Sequence, residues 1–184
     1  MELVAPARDR EYNSPRMTAN ELFAAISPAL ATRIIDEVHG TDKDLYRVAV
    51  GATAQVRKVR PVFLERQPRA DRHRTMATAM ARPEMQMIAG NVLSGWLVKN
   101  QKAILVDFLD ALKIEHKEGV VDELPAQVDD AALISAINML LGKYEREVVA
   151  LYLHAFHGMN EANWPNLTKI FDEDERLLLG AGYV

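Results

Sequence analysis

At 184 residues and 20.6 kDa, with 49% hydrophobic and 26% charged residues, the chain has the length of one domain and an average globular composition. It contains no cysteine. This excludes a disulfide scaffold, cysteine-ligated zinc, an iron–sulfur cluster and a thiol nucleophile. The net charge of −4 is unevenly spread: residues 1–92 carry +3 and residues 93–184 carry −7. The positive charge is concentrated in 57–82, where Arg57, Lys58, Arg60, Arg66, Arg69, Arg72, Arg74 and Arg82 face only Glu65 and Asp71, a balance of +6.

The first segment, MELVAPARDREYNSPR, is charged and proline-containing, with no apolar core of the kind a secretory signal carries. Residues 1–16 read as a loose arm ahead of a single domain over 17–184. No stretch approaches the ~18 apolar residues that span a membrane, so the expectation is a cytoplasmic protein without a membrane partner.

Between proline and glycine punctuation, apolar residues recur at helical spacing and nowhere alternate with period two, which predicts an all-α fold. A first helix is expected over 18–38, opened by Thr18 with Glu21 three residues on, kinked or broken at Pro28, and ended by Gly40. A second is expected over 42–66, capped by Thr41 or Asp42 and interrupted at Pro61. The Pro- and Arg-rich connector QPRADRH leads to a helix over 71–81 and, after Pro83, one over 84–98. The segment 101–115 is amphipathic, with Ile104, Leu105, Phe108, Leu109 and Leu112 on one stripe and Asp107, Asp110 and Lys113 opposite. After a charged loop, helices are expected from Asp129 or Asp130 to Leu141, stopped by Gly142, and over 144–157, stopped by Gly158. A last short helix opens at Trp164-Pro165 and runs to Phe171.

Displacing the chain by 44 residues lays 96–112 on 140–156, with Leu97, Lys99, Leu109 and Ala111 meeting Leu141, Lys143, Leu153 and Ala155. Val59, Phe63 and Leu64 fall, more weakly, on Ile104, Phe108 and Leu109. Three helix pairs of about 44 residues would suit a short α-solenoid-like stack, while matched amphipathic stripes alone would suit an irregular multi-helix bundle.

Few residues carry chemistry. His154 and His157, three apart on one helix, can reach the same side and bind a metal with carboxylates from elsewhere, which would make a metal-dependent enzyme. Against this, His154 lies off the Val149/Leu153/Phe156 stripe and suits a hydrogen-bonded place at a helix seam. A di-iron bundle needs two Glu-x-x-His motifs, and the nearest match is a single Asp36-x-x-His39. H-E-x-x-H, G-x-S-x-G, Walker A and G-x-G-x-x-G patterns are absent. No cofactor is indicated.

Arg57, Lys58, Arg60, Arg66, Arg69, Arg72 and Arg74 form the candidate anion- or partner-binding set, because guanidinium groups bind phosphate and carboxylate bidentately. A nucleic-acid- or phosphate-binding regulator is weakened by the acidic overall charge, by Phe63 being the segment's lone aromatic, and by Arg57, Lys58 and Arg60 not sharing one helical stripe. The basic segment could equally dock on the chain's own acidic half. Met76, Met80, Met85 and Met87 read as core of two short helices, with an adaptable partner surface as the alternative. With no catalytic constellation in sight, the favoured expectation is a non-enzymatic module that binds another protein or itself.

Overall fold

Proline and short polar caps divide this chain into many short helices. The computed structural model describes residues 16–160 and 162–180, so the expected arm, apart from Arg16, lies outside the described residues. The α-helices are α1 (Ala19–Ala25), α2 (Pro28–Thr41), α3 (Lys43–Val56), α4 (Pro61–Glu65), α5 (Arg69–Met80), α6 (Gln86–Asn100), α7 (Lys102–Ala111), α8 (Asp130–Lys143), α9 (Arg146–Met159) and α10 (Pro165–Glu173). Single 3₁₀ turns cover Pro83–Met85 and Glu175–Leu177, and no β-strand occurs among the described residues.

The starts follow from capping chemistry. The Thr18 N–H donates to the Glu21 carboxylate (2.7 Å), closing the capping box at α1. Pro28 breaks the first segment outright, because Ser27 turns extended and accepts the Leu30 N–H (3.1 Å) to begin a new helix. Asp42 caps α3 at Leu45 and Asp129 caps α8 at Ala132. At the other end of α3, Lys58 takes a left-handed φ of 57°, with Lys58 N–H on the Gln55 carbonyl and Val59 N–H on that of Ala54. This is the bonding of a Schellman motif with lysine in the place that glycine usually fills.

The glycines expected to stop helices do not stop them. Gly40, Gly142 and Gly158 all lie within final turns of α2, α8 and α9. At Gly158 the reason for glycine is close approach: a Cβ there would sit 2.7 Å from the Met17 carbonyl oxygen.

α2 runs through the centre of the first half and buries Leu30, Ala31, Ile34, Ile35 and Val38 against α3, α5 and α6. α6 adds Ala89, Val92, Leu93, Trp96 and Leu97. In the second half, α7, α8 and α9 pack together around Phe108, Tyr152 and Phe156, whose rings meet at centroid distances of 5.3–6.1 Å. Trp164 extends this aromatic cluster, and its indole N–H donates to the Pro125 carbonyl (2.8 Å).

α1 joins the two halves, touching α6 on one side and α9 on the other. The Ser27 N–H and hydroxyl both bond to Glu147, and Arg33 pairs with Glu145 at 2.9 Å. In a solenoid each repeat meets only its sequence neighbours. Contacts from the first helix to the ninth place this chain with bundles. The stripes that align at 44 residues are buried in α7 and α9. In the third, weaker copy only Leu64 is buried, while Val59 and Phe63 are exposed.

Thr53, fully buried in α3, has no hydrogen-bond partner for its hydroxyl. Thr53→Val keeps the shape and removes an unsatisfied polar atom. It is expected to raise stability by about 1 kcal/mol, read as a higher denaturant midpoint at unchanged m-value; a lower midpoint would contradict this.

Candidate functional site

The basic segment separates into two structurally different groups. Arg69, Arg72 and His73 stand at i, i+3 and i+4 on α5, so they share the face turned toward α2 and α3. Arg69 Nε and Nη2 reach Asp36 of α2 at 2.9 and 2.8 Å. The His73 imidazole, 1% exposed, lies with Nδ1 3.1 Å from the Asp36 carboxylate and Nε2 3.0 Å from the Tyr46 hydroxyl of α3. Arg72 Nε donates to that same hydroxyl oxygen at 2.8 Å.

Donor logic settles the protons. A guanidinium only donates, so the Tyr46 oxygen accepts from Arg72, and a carboxylate only accepts, so Asp36 takes the proton of His73; Nε2 of the neutral ring is then the acceptor for the Tyr46 O–H. The His73 proton must then sit on Nδ1, directed at Asp36. The ring is neutral in this arrangement. Burial, before any nearby charge, holds its pKa below the ordinary histidine value. His39 packs against both rings at centroid distances of 4.4 Å to Tyr46 and 5.5 Å to His73. Its pKa is also lowered, by burial first and by Arg69 and Arg72 next.

Beside this network a cavity of about 260 Å³ opens between α3 and α4. His39, Lys43, Tyr46, Arg47 and Arg72 line it with a single carboxylate, Glu65. Its walls therefore carry an excess of positive charge. Arg72 also donates to the Glu65 carbonyl (2.9 Å), tying α5 to the end of α4.

The second group is built differently. Arg57, Lys58, Arg60 and Arg66 are all exposed, and none makes an ion pair among the described residues. Between them Val59, Val62 and Phe63 are exposed, Phe63 by 57%. Leu64 is the buried anchor of α4. Exposed valine and phenylalanine fenced by unpaired cations form the most amphipathic surface of the basic segment. Arg74 belongs to neither group; it pairs with Asp71 one turn away. No cation of 57–82 pairs with a carboxylate of 93–184 among the described residues, so the basic segment is not neutralised by the acidic half.

The histidine pair expected to bind a metal makes other contacts. His154 Nε2 donates to the Leu177 carbonyl (3.0 Å) and the ring stacks on Phe171 at 4.0 Å. His157 is buried with Nε2 3.3 Å from the Thr168 hydroxyl. Burial lowers both pKa values. No group of three His, Cys, Asp or Glu suited to a metal occurs among the described residues. Met76, Met80 and Met85 are buried in the core, whereas Met87 is exposed.

The sequence places Arg69 and Arg72 among the cations but does not join them to their partners Asp36, Tyr46 and His73. These lie on three helices, and no linear spacing joins them. The available signals were the Asp36-x-x-His39 pair and the Arg69/Arg72/His73 face. No helix among the described residues is long and apolar enough to cross a membrane. No protein-family model, no curated protein and no solved structure matches the chain.

Proposed function

We propose that this protein is a non-enzymatic interaction module whose α4 face binds an acidic, amphipathic segment of another protein. The observation that carries the reading is the exposed Val59, Val62 and Phe63 set among the unpaired Arg57, Lys58, Arg60 and Arg66. Three features of the face support it. Its apolar stripe aligns with stripes that are covered in α7 and α9, so the same side-chain pattern lacks its cover here. The surrounding charge is of one sign, which selects an acidic partner and speeds encounter. Lys58 is held at a backbone angle that costs a non-glycine residue energy, and such strain concentrates at functional surfaces.

The cavity lined by Lys43, Arg47 and Arg72 reaches α4 at Glu65. It can receive one acidic side chain of the bound segment, while Phe63 supplies the apolar anchor. The fixed Asp36–His73–Tyr46–Arg72 chain holds Arg72 in place for that contact.

The test replaces Phe63 with a photo-crosslinking phenylalanine analogue in the full chain and sequences the peptide captured in the cells that make the protein. Expected are crosslinks to a segment of another protein that carries net negative charge and apolar residues at helical spacing, lost in Arg60→Glu/Arg66→Glu. Crosslinks to nucleic acid, to a second copy of this chain, or unchanged by that charge reversal would overturn the proposal.

A further inference from the structure

A second cavity, in the other half of the molecule, is unlike the first. Its volume is about 230 Å³, and Leu97, Leu105, Leu109, Leu124 and Phe156 make most of its wall. Tyr152, on α9, also lines it and is only 3% exposed as a residue; its hydroxyl is not sealed in but opens on this space, and it makes no hydrogen bond to another described residue. Burial alone raises its pKa, so the phenol stays protonated and is a donor. Buried tyrosine hydroxyls usually find a partner. A lone donor at an apolar cavity is the arrangement of a ligand site, where one polar group fixes the orientation of an otherwise apolar molecule. Of the other polar groups at its edge, the Ser94 hydroxyl lies 3.9 Å from the Met159 sulfur, and the Asn160 side-chain N–H donates to the Phe156 carbonyl at 2.7 Å.

The roof of this cavity is a pinned turn. Lys117 and Val120 exchange both backbone hydrogen bonds, 2.8 and 3.0 Å, across Glu118 and Gly119 at φ of 55° and 88°. Two successive positive φ angles are the mark of a type I′ turn. His116 Nδ1 accepts the Gly119 N–H (3.1 Å) while its Nε2 meets Asp110 (3.0 Å), and Lys102 pairs with Glu118 at 2.9 Å. A Cβ on Gly119 would stand 3.1 Å from Leu105 Cβ, so glycine is what allows the turn to close onto the cavity wall. A cavity with a tethered roof is formed before any ligand arrives, which lowers the ordering cost of binding.

We infer that this cavity binds a small, uncharged, mostly apolar molecule of one ring with a single hydrogen-bond acceptor, which takes the Tyr152 proton donor. Size sets the class. An apolar cavity of about 150 Å³ accommodates benzene, so about 230 Å³ leaves room for a ring with a short substituent. Charge is excluded by the wall, which carries no ionisable side chain other than Tyr152. The site lies on α6, α7, α9 and the 117–120 turn, not on α4, so it is independent of the partner surface.

Acetophenone and isopropylbenzene separate the ring from the acceptor, because they match in shape and differ in the carbonyl. Titration of each into the full chain, followed by amide NMR shifts, should move Gly119, Val121 and Leu124 and leave Val62 and Phe63 still. Acetophenone should bind the wild type about tenfold more tightly than isopropylbenzene, and Tyr152→Phe should abolish that preference, as expected for one neutral hydrogen bond. Because the hydroxyl is unpartnered, Tyr152→Phe is expected to fold normally. The comparison of the two probes on the wild type stands without the variant. Absence of shifts at millimolar probe, shifts confined to other regions, or equal affinity of the two probes for the wild type would overturn the inference.

Discussion

Trp96→Ala is expected to destabilise the protein by about 3–5 kcal/mol, enough to unfold a large share of the molecules in a domain of ordinary stability. Trp96 is fully buried on α6, the helix that meets α1, α2 and α3. Its loss leaves a large void that three helices cannot all move to fill, since each also packs elsewhere. A polar term adds to the cavity term. The indole N–H donates to Glu37 of α2 at 2.6 Å, and this bond links the two central helices of the first half. Trp96→Phe keeps one six-membered ring, so it leaves a smaller void while also removing the donor to Glu37; a loss of about 1–3 kcal/mol, less than for Trp96→Ala, is expected. Urea unfolding followed by circular dichroism checks both. If Trp96→Ala lost less than Trp96→Phe, or if either variant left the midpoint unchanged, the placement of α6 at the centre of the core would be wrong.

Acid should weaken the fold in two stages. His39, His73, His154 and His157 all have pKa values below the ordinary 6.5, with burial the first cause in each. Between 6.5 and the lower folded values, the unfolded chain holds protons that the folded chain does not. Stability therefore falls as pH drops through this window, by at most about 1.4 kcal/mol per pH unit for each histidine, and the loss is complete below the folded pKa values. His73 has the added constraint that a second ring proton would confront the Tyr46 O–H and the Arg72 guanidinium.

The second stage comes from carboxylates. Lys99 beside Asp42, Lys143 beside Asp107, Arg176 beside Asp174 and Arg33 beside Glu145 hold these groups below the usual carboxylate range. What they contribute is present above their unfolded pKa values and is lost as pH falls through the folded ones. Denaturant midpoints at pH of about 7.5 and 5.5 isolate the histidine stage, because carboxylates barely titrate there. A lower midpoint at the acidic value is expected, together with histidine Cε1–H titrations centred below 6.5. Equal midpoints would contradict the neutral, enclosed state described for His73 and His157.

The outline of the fold was legible because its breaks are made by residues with fixed backbone consequences. Pro28, Pro61, Pro83 and Pro165 each stand at or near a helix start, as a locked φ and a missing N–H require. Glycine was the poorer guide. Gly158 serves a close approach to Met17 that no local pattern announces. The 44-residue alignment found true amphipathic stripes but not how they pack, since the start of α2 reaches the start of α9 through Ser27 and Arg33 against Glu147 and Glu145, residues far apart in the chain.

The site was legible in part. Charge counting located the basic segment, but charge has no direction in a sequence. Only the packing of α5 against α2 and α3 turns Arg69 and Arg72 toward Asp36 and Tyr46 while leaving Arg57, Lys58, Arg60 and Arg66 outside. Phe63 read as a lone aromatic, with its exposure hidden because α4 is too short for a periodic pattern to show which side it buries. Tyr152 falls on an apolar stripe, and nothing in its sequence neighbourhood marks its hydroxyl as unpartnered.

Recognition of an acidic, amphipathic protein segment is the function we propose for α4. Its most direct measurement is the affinity of the peptide captured at position 63, made synthetically and titrated by calorimetry against the wild type, Phe63→Ala and Arg60→Glu/Arg66→Glu. The three substituted positions are exposed, so the variants should unfold at the same denaturant concentration as the wild type. Phe63→Ala should weaken binding about thirtyfold, the scale of a central aromatic anchor. The charge reversal should weaken it at low salt and lose most of its effect by about 0.3 M salt, where exposed charges are screened. Binding that is indifferent to Phe63, or to both arginines at low salt, would contradict the claim.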